Sequence, residues 1–99
     1  MAKVFISIPM KDRKHEDIIN DQHKALEEAC KVLNEPCEMI ESCKVEYAKF
    51  KPLECLAESL KLLANADIAV FAKGWESARG CKIEHICAKE YGLKMIELN

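Results

Sequence analysis

Hydrophobic and polar positions follow two different rhythms along the chain. Val4 to Ile8 is an apolar run interrupted only by Ser7 and closed by Pro9. Short and rich in β-branched and aromatic residues, it predicts a strand buried on both faces. From about His15 to Leu33 the spacing becomes helical. Ile18, Ile19, Leu26, Ala29, Cys30 and Leu33 form one stripe, with Glu27, Glu28 and Lys31 outside it. After Pro36 the stretch Glu38 to Val45 is ambiguous; Met39, Ile40 and Val45 fit a short second strand. Pro52 stands where a helix start tolerates it, and Leu53, Leu56, Ala57, Leu60, Leu63 and Ala64 follow at helical spacing. Asp67 opens a third apolar run, Ile68 to Ala72, which reads as another doubly buried strand. The loop Lys73 to Arg79 leads into a helix from about Gly80 to Tyr91, closed by Gly92 as a left-handed cap. Leu93 to Leu98 forms the last strand.

This alternation of strand and helix predicts an α/β fold. A four-stranded parallel sheet carries helices on both faces, a three-layer sandwich with right-handed crossovers. The 99 residues make one domain, 1–99. A domain of this size buries only roughly two-thirds of its unfolded surface. Its thin core leads us to expect a homodimer or higher homo-oligomer.

Composition narrows the classes of function. Fifteen Lys and Arg against seventeen Asp and Glu leave a net charge of -2. That balance argues against general nucleic-acid binding, which needs a basic face to neutralise phosphates. No apolar run approaches the roughly 18–20 residues of a membrane span, so no membrane partner is expected. The N-terminus, MAKVFISIPMKDRK, reads as a strand rather than a secretion signal, and a cytoplasmic location is expected. The six cysteines include no C-x-x-C pair, so their spacing does not indicate zinc. They read as reduced, mostly small hydrophobes, with a disulfide framework as the alternative.

Open parallel sheets bind ligands beyond the carboxyl ends of their strands, where strand order reverses. With the order 2-1-3-4, that crevice lies between the first and third strands. The segment Pro9 to Lys14, with Met10, then faces Lys73 to Gly80, which reads KGWESARG. Two of the three glycines, Gly74 and Gly80, fall in this second segment. Gly80 lets backbone approach a ligand at a helix N-terminus, where free N–H groups favour an anion. Ser77 and Arg79 add a hydroxyl and a guanidinium. Neither G-x-G-x-x-G nor G-x-x-x-x-G-K-[ST] is present, which argues against dinucleotide cofactors and ATP hydrolysis.

Glu84 lies one helical turn after Gly80 and can face the same crevice. The positive helix end should keep it ionised. A positioned carboxylate can attack an anomeric carbon, although a first-turn Glu is also ordinary. His85 points roughly 100° away and reads as a packed or hydrogen-bonded histidine. Asp67, at the opposite end of the sheet, reads as structural. Trp75 either stacks on a ligand ring or seals a contact between copies.

FISIPM, ADIAVFAKGWESARGCKIEH and AKEYGLKMIE together resemble the nucleoside 2-deoxyribosyltransferase-like superfamily, and within it the small DUF4406 branch. The resemblance implies a flavodoxin-like (Rossmann-like) sheet and a site for a nucleoside or nucleotide, with no metal and no cofactor. It implies that Glu84 is the nucleophile, either exchanging bases or hydrolysing the N-glycosidic bond. A phosphate would sit at Ser77, Arg79 and Gly80. Ile8, Pro9, Met10, Ser59, Gly74 and Trp75 complete the expected substrate site.

The chain departs from the catalytic pattern at several positions. Phe5 replaces a Tyr that orients the Glu, Ser59 an Asp, Ala78 a Ser or Asp, and Ile8 a Gly. Ser77 can substitute at the Ala78 position. Asp12 and Glu76 are the candidates for protonating a leaving base. Three readings follow: a glycosidic-bond enzyme, a non-catalytic nucleotide binder or sequestering module, and a structural subunit with Trp75 at an oligomer contact.

Overall fold

Parity along the strands decides the architecture. The computed structural model describes residues 1–40 and 51–98. Its elements are β1 (Ala2–Ser7), α1 (His15–Leu33), β2 (Cys37–Met39), α2 (Pro52–Ala64), β3 (Ile68–Phe71), a 3-10 turn (Trp75–Ser77), α3 (Arg79–Glu90) and β4 (Met95–Glu97). Ala2, Val4, Ile68 and Val70 turn to one face of the sheet and pack with Ala25 and Ala29 of α1. Phe5, Ala69 and Phe71 turn to the other and meet Leu63 of α2 and Ala88 of α3. One sheet is therefore covered on both sides, as a three-layer α/β sandwich requires. Phe71, Ile68, Val4 and Val70 are its largest fully buried side chains. Each contributes about 1.5–3 kcal/mol by leaving water.

The strand order is β2-β1-β3-β4, and all three pairings are parallel. This is the expected order, and it opens a crevice at the carboxyl ends of β1 and β3. Ser7 pairs with Phe71 at that end. At the other end the Lys3 N–H donates to Asp67 Oδ2 at 2.7 Å, the structural role expected of Asp67.

Several boundaries shift. Ile8 lies just past β1. β2 begins at Cys37, and the Ile40 N–H continues the ladder to the Val4 carbonyl at 2.8 Å. Val45 lies outside the described residues, as does Cys43. The predicted apolar stripe of α2 is narrower in the structure: Leu53 is 75% exposed, and Ala57 and Ala64 are also exposed. The helix packs against α3, so only the Leu60–Leu63 side reaches the core. α3 starts at Arg79 and gives way at Tyr91, where Gly92 takes a φ of +70° that favours glycine. Cys30, Cys37, Cys55, Cys81 and Cys87 are free thiols. No helix among the described residues is long and apolar enough to cross a membrane.

Candidate functional site

The site grows out of one strand end and one helix start. Period-two alternation turns Ser7, like Phe5, toward the α2–α3 side of the sheet. On α3 the buried residues are Cys81, Glu84 and Ala88, a spacing that puts all three on the inner stripe. Glu84 therefore occupies a position where an apolar residue would ordinarily pack. It is only 7% exposed, and the Ser7 hydroxyl donates to its Oε1 at 2.7 Å.

Both residues line a cavity of about 690 Å³. Its walls bring together Ile8, Pro9, Met10, Ser59, Gly74, Ser77, Arg79, Gly80 and Glu84. Phe5, Lys11, Ala78 and Cys81 also line it. A second hollow of about 570 Å³ shares Ser59, Arg79, Gly80 and Glu84 with the first and continues along Pro52, Leu53, Leu56 and Ile83. Glu84 thus borders both spaces.

Backbone geometry keeps the mouth open. Gly74 holds a φ of +89°, which a side chain would strain, and its α-carbon faces the Pro9 ring. A Cβ at Gly80 would meet nothing within 4 Å, so its missing side chain leaves space at the first turn of α3. Arg13 is committed to the wall itself. Its guanidinium donates to the Pro9 carbonyl at 3.2 Å and pairs with Asp21 of α1 at 2.6 Å, fixing the β1–α1 connection.

Burial opposes one electrostatic expectation. The helix terminus should keep Glu84 ionised, yet desolvation pushes its carboxyl above the usual carboxylate range. The hydroxyls of Ser7 and Ser59 pull it part of the way back. The effect of a partial helix charge is small beside the cost of removing a carboxylate from water. Desolvation also pushes the Cys81 thiol up, while Ser7 acts in the opposite direction.

Trp75 is the expected site residue that the cavity lining does not include. Its indole stacks on His85 with ring centres 4.0 Å apart and planes 11° from parallel. His85 also meets the Phe71 ring edge-on at 4.9 Å, and its Nε2 lies 2.9 Å from Glu97 Oε1. From the 3-10 turn the indole packs on Phe71 and His85, a direction that loop position alone does not specify. His85 is packed and hydrogen-bonded, as expected. Asp12 and Glu76 do not line the cavity either.

Sequence reasoning passed over Ser7 and Cys81. The signal for Ser7 was its standing as the one polar residue in an apolar strand; Cys81 sits one turn before Glu84 on the same stripe. Among the described residues, no group of three or more His, Cys, Asp or Glu is arranged to hold a metal ion.

No curated protein and no solved structure matches this chain. The family described as "Domain of unknown function (DUF4406)" matches residues 2–97, from the first strand to the last, and the chain belongs to that family.

Proposed function

We propose that the cavity binds a nucleoside or nucleotide and that Glu84 acts as a nucleophile at the anomeric carbon of its N-glycosidic bond. The observation that carries this reading is a carboxylate sunk to 7% exposure on the cavity side of α3, beside Arg79 and Gly80. The resemblance of the G-x-x-x-E segment to deoxyribosyltransferases supports the same assignment. A carboxylate oxygen bonds to the anomeric carbon as the carbon–nitrogen bond breaks. The electron pair leaves with the base, whose nitrogen takes a proton from solvent at the open mouth. Water or a second base then attacks the anomeric carbon and restores the Glu84 carboxylate, with any proton released to solvent. Arg79 and the first-turn N–H groups of α3 suit an anionic group on the sugar.

A second reading is a binder without turnover. Ser59 stands where the resembling enzymes carry Asp, and burial makes the Glu84 carboxyl costlier to ionise.

One experiment separates the two. Wild type and Glu84→Ala are incubated with nucleosides and their 5′-monophosphates, and released base is followed by chromatography alongside the melting temperature. Base release lost in Glu84→Ala supports catalysis; equal release from both proteins excludes it. A raised melting temperature without release supports the binder, because a ligand held only by the folded state stabilises it. No stabilisation and no release across the panel excludes both readings.

A further inference from the structure

We propose that Ser7 is the positioning residue of this site: its hydroxyl aims and steadies the Glu84 carboxylate from the end of β1. The inference rests on the reading of Glu84 as the reacting group and adds the residue through which the sheet controls it.

The argument is geometric. Ser7 is 3% exposed, so its hydroxyl finds its partners inside the protein. It donates to Glu84 Oε1 at 2.7 Å, a length typical of a hydroxyl bonded to a carboxylate oxygen. Its backbone is fixed on both sides, by pairing with Phe71 and by the Ala72 N–H donating to its carbonyl at 2.9 Å. The donor is therefore carried by the stiffest part of the fold. Glu84, on α3, borrows its orientation from that strand.

The surroundings make Ser7 decisive. Phe5, two residues earlier on the same face, has no hydroxyl to offer. Ser59 of α2 is the other hydroxyl that favours the ionised carboxylate. Burial pushes the Cys81 thiol of α3 up, and Ser7 acts on it in the opposite direction. Lys11 and Arg79 are the cationic side chains of the lining. Neither hydrogen-bonds the carboxylate in this arrangement.

The test follows Glu84 by carbon-13 carboxyl NMR as a function of pH, with Glu84→Gln identifying the signal. No ligand is needed, so the result is independent of the base-release assay. Replacing Ser7 by Ala removes a donor to the ionised form, and the titration midpoint moves upward. Ser7→Thr restores the wild-type midpoint, whereas Ser7→Val, matched to Thr in shape, does not. Where base release is measurable, Ser7→Ala lowers kcat about tenfold with little change in KM. An unchanged midpoint in Ser7→Ala overturns the proposal. If the Ala variant does not fold, equal midpoints in the Thr and Val variants overturn it equally.

Discussion

Glu84 and His85 are neighbours in the chain and opposites in the fold. His85 is fully engaged, stacked on Trp75, edge-on to Phe71 and beside Glu97. Glu84 faces inward, buried against a cavity, with neutral hydroxyls as its hydrogen-bond support. Both side chains are polar, and both are largely hidden. One is built into a cluster that joins the turn, the helix and β4; the other lies on the wall of a cavity. A buried polar group whose surroundings leave room for a further partner is the better guide to chemistry than burial or polarity alone.

The contrast breaks most severely on the engaged side. Phe71→Ala empties a fully buried ring site beneath His85 and Trp75. We expect a loss of about 3–5 kcal/mol in urea unfolding. On the cavity side the sign reverses. Glu84→Gln should raise the melting temperature at pH 8 by roughly 4 °C, because it removes a buried charge. The pH dependence follows from linkage. The folded-state pKa lies above the unfolded one, so the folded chain holds this proton more tightly. That stabilisation is complete below the unfolded pKa and is lost as pH rises through the folded value. The advantage of Glu84→Gln should therefore shrink as melting is repeated toward pH 4.

Smaller effects sharpen the comparison. Asp67→Ala, far from the cavity, removes the acceptor for the Lys3 N–H and should cost about 1 kcal/mol without altering ligand-induced stabilisation. Gly80→Ala should raise stability by about 0.5–1 kcal/mol, since a Cβ meets nothing there and alanine favours helix. The same methyl enters the ligand space, so nucleotide-dependent stabilisation should fall. A Gly80→Ala protein that binds as well as wild type would move the ligand away from the α3 terminus.

Most of the framework was legible because strands and helices carry different periods. The Ile68–Phe71 run, with every residue buried, and the His15–Leu33 stripe are strong signals. β2 is three residues long, too short to establish a rhythm. Glu84 was legible because G-x-x-x-E places a carboxylate one turn into a helix. The helix end that favours its ionised form is visible in sequence, and the depth of burial that opposes it is not. In sequence Ser7 reads as an interruption of a strand, since nothing local shows which side chain lies opposite it. Loop position leaves Trp75 open between a ligand ring and a contact between copies; its indole packs within the chain on His85 and Phe71, which nothing local signals.

The two outer strands, β2 and β4, have three residues each. A ladder that short offers an incoming chain only a few main-chain hydrogen bonds, so joining copies edge to edge into one continuous sheet gains little, and the fold is correspondingly protected against fibril-like stacking.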